Sequence, residues 1–247
     1  MALIAATDWL AAAADRLHFA EPVAQCYNPL IYAADVHHEY IRRYATTKKK
    51  VVFFGMNPGP FGMAQTGVPF GEIAAVRDWM QLTGAITPPA QQHPKRPITG
   101  FDCAKSEVSG RRFWGLMRDR FGTAQAFFAS HFVVNYCPLV FMEDSGRNRT
   151  PNQLPKSERQ ELFALCDEHL RTVAEVLQPE WVIGIGNFAA ERIRHALASA
   201  EGPGAALGCG SCRIASIIHP SPANPKANAD WAGPVTKSLI ELGVWPS

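Results

Sequence analysis

The sequence predicts an α/β fold, with one three-layer domain over residues 1–247 in which helices flank a central four-stranded parallel sheet. Four segments are almost continuously apolar, which is typical of strands that are buried on both faces. Helical patterns lie between these segments, and the alternation of strand and helix favours a parallel sheet. The length of 247 residues and the hydrophobic fraction of 47% are sufficient for one large core.

The N-terminal residues 1–20 are expected to form a helix rather than a signal peptide. Leu3, Leu10 and Leu17 recur at helical spacing, Asp8 interrupts the apolar run, and the segment lacks a basic start. No apolar run reaches the roughly 18 residues that are needed to span a bilayer. The sequence therefore predicts a soluble, intracellular protein that has no membrane partner. We also expect a monomer.

The four predicted strands follow in order along the chain. They are VVFFG (51–55), FVVNYCPL (132–139), WVIGIG (181–186) and RIASIIHP (213–220). Helices are predicted at residues 73–82, 113–121, 158–177 and 188–198. The long connection between the first two strands is expected to hold additional helices and loops.

Polar residues lie at the end of each predicted strand. Asn57 comes just after the first strand, and Asn135 lies near the end of the second. Asn187 follows the third strand, and His219 lies at the end of the fourth. The carboxyl ends of parallel strands meet at one edge of a sheet, where open α/β folds bind their ligands. We therefore expect these residues to converge on one site.

The loop GMNPGPFGMAQTGVPFG (55–71) follows the first strand and contains five glycines and three prolines. This composition excludes a continuous helix or strand. The loop also carries apolar side chains, among them Met56, Met63 and Phe70, that need something to pack on. A rigid apolar loop after a buried strand is typical of a pocket wall that fits a flat, partly polar ligand.

Each candidate residue also has a purely structural interpretation. Asn57 could shape the turn before Pro58, since asparagine is common in turns. Asn135 could bond a neighbouring loop instead of a ligand, and His219 could be an ordinary core histidine. The segment GIGNFAAERI (184–193) matches a dinucleotide fingerprint weakly, because no acidic residue ends a following strand about 20 residues on. Close packing of a helix on a strand, with backbone amides near a phosphate, explains this segment better.

Charge and cysteine content limit the possible partners and cofactors. The formal net charge is only +2, and the local basic clusters are solvated surface unless several of them flank one pocket. CGSC (209–212) is a single CxxC without a second pair, so we predict no metal and no other cofactor. The strand-end loops hold no carboxylate pair and no Ser-His-Asp set. Amides and an imidazole suit a reaction whose leaving group departs as a stabilised anion.

Four segments closely resemble the single-strand-selective monofunctional uracil-DNA glycosylases, a branch of the uracil-DNA glycosylase superfamily. They are GMNPGPFGMAQTGVPFGE (55–72), HPKRPITGFDCAKSEVSGRRFWGLM (93–117), NYCPLVF (135–141) and HPSPANPKAN (219–228). The resemblance implies a uracil-DNA glycosylase-like fold and a DNA repair enzyme. Such an enzyme flips uracil, and also 5-hydroxymethyluracil or related pyrimidines, out of single- or double-stranded DNA. It then hydrolyses the N-glycosidic bond and leaves an abasic site.

The resemblance implies a role for each matched pocket residue. Asn57 positions the attacking water, and His219 hydrogen-bonds O2 of uracil as negative charge builds on the departing base. Asn135 recognises the O4 and N3–H edge, which cytosine does not present. The substrate-binding residues, of which Phe70 stacks on the base, are Met56, Gly59, Met63, Phe70 and Asn135.

The resemblance also implies two DNA-contacting segments, the basic stretch 145–159 and a wedge loop that holds the flipped base out of the stack. Their contact residues are Ser145, Arg147, Asn148, Arg149, Lys156, Arg159, Pro220, Ser221, Pro222, Ala223, Asn224, Pro225 and Lys226. Ala223 departs from the family pattern, in which arginine is common. We therefore expect a weaker grip on duplex DNA and on the abasic product, with the chemical step intact.

Three rival interpretations remain open from the sequence. A nucleotide-binding protein could use the GIGNFA segment at the same sheet edge. A DNA-binding module without catalysis would require damaged pocket positions, and none of the matched positions is damaged. A superfamily relative that acts on thymine or deaminated purines would also be compatible with Asn57.

Overall fold

The computed structural model describes residues 2–198 and 212–246. The strands within these ranges are β1 (Gln25–Tyr27), β2 (Val51–Gly55), β3 (His131–Asn135), β4 (Val140–Met142), β5 (Asn148–Arg149), β6 (Trp181–Ile185) and β7 (Arg213–Ile217). Four of them form a parallel sheet in the order β3-β2-β6-β7. Gly55 of β2 pairs with Asn135 of β3, so the carboxyl ends of the two strands lie side by side. The predicted α/β class and its four parallel strands are confirmed.

The second and fourth predicted strands end earlier than the sequence suggested. β3 stops at Asn135, and residues 140–142 form a separate strand, β4. β4 lies between β1 and β5 in a small antiparallel sheet that the sequence analysis missed. Pro138 explains the break, because proline has no N–H for a sheet ladder. β7 ends at Ile217 and leaves His219 in the following loop.

The fourth strand also differs in burial from the expectation. Every residue of β2, β3 and β6 is buried. In β7, Arg213 and Ser216 are exposed. The prediction of burial on both faces is therefore wrong for this strand alone among the four.

The helices flank the sheet. In the described residues they are α1 (Ala2–Asp15), α2 (Pro29–Tyr32), α3 (Ala34–Tyr44), α4 (Met63–Thr66), α5 (Val108–Phe121), α6 (Ala124–Phe128), α7 (Lys156–Leu177), α8 (Asn187–Ala198), α9 (Pro225–Ala229) and α10 (Ala232–Glu241). Short 3₁₀ turns cover Gly100–Asp102 and Pro151–Gln153. The helix predicted at residues 73–82 is shorter, with residues 73–79 helical and Ala75–Trp79 in π-helical geometry. None of the described helices is long and apolar enough to cross a bilayer.

One hydrophobic cluster runs from Leu3 to Trp245 and includes the central strands. Helix α8 packs on β6 and β7, and α1 packs on α7. Gly184 of β6 permits the first of these contacts, because a Cβ at that position would lie 2.3 Å from the backbone nitrogen of Ala190. Gly184 of the GIGNFA segment thus serves close packing of helix on strand.

Candidate active site

A cleft of about 720 Å³ opens at the carboxyl ends of the parallel strands. The loops that follow β2 and β7 and the last residue of β3 all contribute to its lining. The predicted site residues that line it are Met56, Asn57, Gly59, Phe70, Asn135, Asn148, His219, Ser221, Pro222, Ala223 and Asn224. Residues that are far apart in sequence therefore converge at this edge of the sheet.

His219 lies two residues beyond β7 and is partly buried. Its Nδ1 atom accepts a hydrogen bond from the backbone N–H of Ser221 at 3.0 Å. Burial lowers the pKa of His219 from 6.5 to about 4, so the imidazole is neutral at pH 7. Because Nδ1 is an acceptor, the single proton lies on Nε2. The side chain can therefore offer one N–H donor to a ligand in the cleft.

Asn57 follows β2 and holds its amide group in a defined orientation. Its Nδ2 atom donates to the carbonyl oxygen of Leu139 at 3.1 Å. This bond leaves Oδ1 as the free end of the amide, since Oδ1 has no hydrogen-bond partner among the described residues. The free end is an acceptor that can hold a water molecule by one of its O–H groups.

Asn135 ends β3 beside Gly55, and the glycine makes room for it. A Cβ at position 55 would lie 2.3 Å from Asn135 Oδ1 and 2.8 Å from a ring carbon of Phe70. Only 6% of the surface of Asn135 is exposed, and the hydrogen bond that its side chain makes within the described residues runs from Nδ2 to Met63 Sδ at 3.2 Å. Sulfur is a weak acceptor. The amide therefore keeps hydrogen-bonding capacity for a ligand.

Phe70 presents a fixed aromatic face to the cleft. Its ring stacks on Phe113, with 5.0 Å between centroids and an angle of 16°. Its backbone has a φ of +53°, which is uncommon for a bulky residue. The carbonyl of Phe70 accepts from Trp114 Nε1 at 2.9 Å, which stabilises this conformation. Such strain at a non-glycine residue occurs most often at functional sites.

Met63 does not line the cleft, contrary to the expectation that it forms part of the pocket wall. It is 2% exposed, and it lies behind Asn135 on a small interior cavity. Met63 begins α4, and the short helix turns the side chain inward. A sequence motif does not specify this orientation.

Glu107 was missed by the sequence analysis, although it lines the cleft. Its carboxyl group lies against Gly59 and Gly62 of the 55–71 loop. A Cβ at Gly59 would lie 2.2 Å from Oε1, and a Cβ at Gly62 would lie 2.1 Å from Oε2. Burial, with the nearby Glu72 carboxylate as a smaller cause, raises the pKa of Glu107 to about 7. No local pattern signals this burial, because Glu107 simply precedes helix α5 in the sequence.

The predicted DNA-contacting residues divide into two groups. Ser145, Arg147 and Lys156 are exposed or half-buried at the surface, as are Pro222, Ala223, Pro225 and Lys226. In contrast, the Arg149 side chain is hydrogen-bonded within the protein. It donates to Glu143 Oε1 at 2.7 Å and to the carbonyl of Gln153 at 2.8 Å. Arg159 donates to the carbonyl of Asn152 at 3.1 Å and lines a neighbouring pocket instead of the cleft.

The loop 219–228 has an internal network of hydrogen bonds. The backbone N–H of Ala223 donates to Ser221 Oγ at 3.1 Å, and Asn224 Nδ2 donates to the carbonyl of His219 at 3.2 Å. Asn228 Nδ2 donates to the carbonyl of Pro222 at 2.8 Å. Arg112 of α5 adds a bond to the carbonyl of Pro220 at 2.9 Å. These hydrogen bonds fix the shape of the loop within the protein.

Cationic side chains lie near one rim of the cleft, around Phe61. Lys105 Nζ is 4.9 Å from the Phe61 ring centroid, and the Arg96 guanidinium carbon is 5.4 Å from it. Phe61 itself lines the cleft. The described residues contain no group of three or more His, Cys, Asp or Glu side chains that could hold a metal ion. Most of the CGSC segment (209–212) lies outside the described residues.

Comparison with known proteins identifies relatives over most of the chain. Residues 42–238 match the uracil DNA glycosylase superfamily. The single-strand selective monofunctional uracil-DNA glycosylase of Rattus norvegicus is 46% identical over 231 residues, 94% of this chain and 80% of the rat protein. The Bos taurus protein of the same name is also 46% identical and is covered to 82%. The crystal structure of wild-type Pedobacter heparinus SMUG2 has a TM-score of 0.64 at 16% identity, covers 97% of each chain, and shows a likeness of fold.

Proposed function

The chain belongs to the uracil-DNA glycosylase superfamily, and we propose that its cleft excises uracil by means of His219, Asn57 and Asn135. The protein is a monofunctional uracil-DNA glycosylase, which hydrolyses the bond between uracil and deoxyribose. The observation that carries the assignment of roles is the neutral His219, with its one N–H on Nε2, in the same cleft as the two amides.

Base recognition falls to Asn135 and Phe70 in this proposal. The Asn135 amide donates from Nδ2 to uracil O4 and accepts the N3–H with Oδ1. Cytosine presents an amino group and an unprotonated N3 at these positions, so both ends of the amide would face the wrong partner. A mismatch of this kind in a buried site discriminates strongly. Phe70, held by Phe113, provides the surface on which the flipped base stacks.

His219 stabilises the departing base. As the C1′–N1 bond breaks, its electron pair moves onto uracil, and negative charge develops on O2. A neutral imidazole that donates from Nε2 stabilises this charge with a hydrogen bond. A preorganised donor is effective because it is already oriented when the charge appears.

Asn57 orients the nucleophile. Its Oδ1 atom, free because Nδ2 bonds Leu139, accepts one O–H of a water and directs the lone pair of that water toward C1′. The water oxygen forms the new bond to C1′, uracil leaves with the electrons of the N-glycosidic bond, and the proton of the attacking water passes to solvent. An amide cannot remove this proton strongly, which fits a reaction in which the leaving group departs ahead of the attack.

DNA is the partner of this site. Access of single-stranded DNA is supported by the open cleft and by the exposed cations Lys105 and Lys226 around it. In a duplex, the loop 219–228 would enter the space that the flipped base leaves. We also propose that the chain acts as one folding unit and as a monomer inside the cell, and that it accepts 5-hydroxymethyluracil as well as uracil.

The proposed function is tested by excision from end-labelled oligonucleotides that carry one uracil, in single-stranded and duplex form, with excess EDTA. Strand cleavage at the uracil that appears only after alkali is the expected result for a metal-independent monofunctional enzyme. A matched oligonucleotide with cytosine at that position is the control and should stay intact. The absence of alkali-labile sites, with folded protein bound to the DNA, would contradict the proposal.

A further inference from the structure

One aromatic side chain at the rim of the active-site cleft carries two cations over its ring. Phe61 belongs to the 55–71 loop, lines the cleft and is half-buried. Lys105 Nζ lies 4.9 Å from the centroid of the Phe61 ring, and the Arg96 guanidinium carbon lies 5.4 Å from the same centroid. The face of an aromatic ring attracts cations. The ring therefore brings the two positive charges together beside the cleft.

Arg96 is held in place from several sides. Its carbonyl oxygen accepts from Tyr27 Oη at 2.8 Å, and its backbone N–H donates to the carbonyl of His93 at 2.9 Å. Its Nη1 atom donates to the carbonyl of Lys95 at 2.9 Å. The guanidinium also packs beside Gly146, where a Cβ would lie 3.5 Å from the guanidinium carbon. A cation that is already ordered loses little conformational entropy when it binds an anion.

Neither cation is neutralised within the described part of the protein. The ion pairs found there include neither Arg96 nor Lys105. Among the acidic residues of neighbouring segments, Glu143 pairs with Arg149 at 2.7 Å, and Glu107 packs against glycines of the 55–71 loop. Two like charges over one ring repel each other, and an anion bound to both would offset this repulsion. The arrangement therefore has the charge of an anion-binding site.

The nature of the anion follows from the proposed function, on which this inference rests. Phe61 lines the same cleft as His219, in which the flipped base is held. The strand that carries this base must cross the rim of the cleft, and it brings its phosphates there. Arginine binds phosphate through its planar fork of N–H groups, and lysine binds it as a point charge. The exposed side chains of Lys95 and Arg147 extend the positive surface beyond Arg96.

We propose that Phe61, Arg96 and Lys105 form a phosphate-binding subsite for the DNA strand beside the flipped nucleotide. The ring positions the two cations, and the cations bind a backbone phosphate of the strand that carries uracil. Such a contact carries no sequence information, but it fixes the register of the strand on the protein. The contact needs no opposite strand, so it serves single-stranded and duplex DNA alike.

The test measures binding of single-stranded oligonucleotides in which 2′-fluoro-2′-deoxyuridine, whose glycosidic bond resists hydrolysis, replaces the uracil nucleotide. One phosphate at a time, on either side of this nucleotide, is replaced by an uncharged methylphosphonate. In the wild type, replacement of the bound phosphate should weaken binding about fivefold, the size of one exposed charged contact. In Arg96→Gln/Lys105→Gln the same replacement should have no further effect, because the contact is already lost. The slope of log Kd against log salt should also fall by about 0.7 for each cation removed.

Two further comparisons separate the subsite from general charge and from loop structure. Arg118→Gln/Lys237→Gln is the matched control, since it removes two exposed cations that do not line the cleft. This control should keep the position-dependent methylphosphonate effect of the wild type. Phe61→Leu should lose part of that effect because the ring is gone, whereas Phe61→Tyr, which retains a ring, should keep it.

Three results would overturn the inference. The first is a methylphosphonate effect that is absent in the wild type or the same at every position. The second is an effect of equal size in the wild type and in Arg96→Gln/Lys105→Gln. The third is an equal loss in Phe61→Leu and Phe61→Tyr, which would remove the ring from the subsite. A wild type that does not excise uracil from the unmodified oligonucleotide would instead refute the proposed function, so the two failures are distinguishable.

Discussion

The two ends of the parallel sheet use histidines in opposite ways. At the amino end of β3, His131 accepts from Trp245 Nε1 with Nε2 at 3.1 Å, and its Nδ1 lies 2.9 Å from Ser130 Oγ. Beyond the carboxyl end of β7, His219 uses Nδ1 for Ser221 and leaves Nε2 without a partner among the described residues. Burial lowers the pKa of both to about 4.

Lys49, just before β2, shows the same pattern as His131. It is 3% exposed, its pKa is lowered by burial, and its ammonium donates to the carbonyl of Phe128 and to Thr47 Oγ1. The polar atoms of His131 and Lys49, at the amino end of the sheet, are thus hydrogen-bonded within the protein. A shifted pKa does not by itself mark a functional group. An unused donor or acceptor that faces the cleft is the feature that separates the two ends.

The largest effect is expected at the carboxyl end. His219→Ala and Asn57→Ala should each lower the single-turnover rate of uracil excision by about 10² to 10³, the usual effect of removing one preorganised donor or positioning group. Binding to DNA should change little, because neither side chain is among the exposed cations. Rapid quench at saturating protein measures the rate, and fluorescence anisotropy measures binding.

The functional role of the carboxyl end would be contradicted if these two variants excised uracil at nearly the normal rate. It would also be contradicted if their loss of activity matched a loss of folded protein, as judged by circular dichroism. His131→Leu, at the other end of the same sheet, is the matched control for the removal of a buried imidazole.

A smaller effect, on stability instead of rate, is expected at the amino end. His131→Leu leaves the Nε1–H of Trp245 without its acceptor, which should lower the free energy of unfolding by about 1–3 kcal/mol. The excision rate of the folded variant should stay within a few-fold of wild type. Adding Trp245→Phe removes the unpaired donor, so the double variant should lose less than the sum of the two single variants. Strict additivity in denaturant titrations would show that this bond contributes nothing.

Four histidines, among them His131 and His219, predict how stability depends on pH. His37, His131, His169 and His219 all have a pKa lowered to about 4 by burial. As pH falls from about 6.5 toward 4, the unfolded chain binds protons that the folded protein does not, so stability decreases. Glu107 acts in the opposite direction between pH 4.5 and about 7 because its pKa is raised. His131→Leu should therefore show a shallower loss between about pH 6.5 and 5 than the wild type in denaturant titrations at each pH.

The smallest effect is expected at Ala223, which also lies at the carboxyl end of the sheet. Ala223 is exposed on the loop 219–228, and its methyl side chain has no donor to offer. Ala223→Arg should tighten binding of abasic product DNA by about two- to fivefold, the range of one exposed charged contact. The single-turnover rate should be unchanged, since Ala223 is exposed on the loop that we propose to enter the duplex and is assigned no part in the chemical step. Equal product affinity in the two proteins, by competition binding, would remove Ala223 from any role in holding DNA.

The sequence was informative wherever a feature depends on neighbouring residues. Buried strands are recognisable from their own apolar composition. A parallel sheet brings Asn57, Asn135 and His219 to one edge, whatever the length of the chain that connects them. Features that depend on distant contacts were missed. The antiparallel pairing of residues 140–142 with β1 was not expected, and the inward turn of α4 placed Met63 behind Asn135.

Glu107 and Arg149 illustrate the same limit for single side chains. Both are charged residues in polar segments, where sequence reasoning expects solvent or DNA. Three glycines from two separate elements surround the Glu107 carboxyl, and Glu143 pairs with Arg149. Such partners are assembled only by the folded chain, so the roles of charged residues are the part of the site that local patterns predict least well.

The hydrogen-bonded shape of the loop 219–228 has a consequence for how the protein searches a genome. A repair enzyme inspects a very large number of undamaged bases for each lesion that it meets, and it slides or hops between them while held by charge. A flexible probe would have to become ordered at every stop, and each ordering event costs free energy and time. Because Asn224, Asn228 and Arg112 hold this loop through hydrogen bonds within the protein, we expect little of this ordering cost to recur at each inspection.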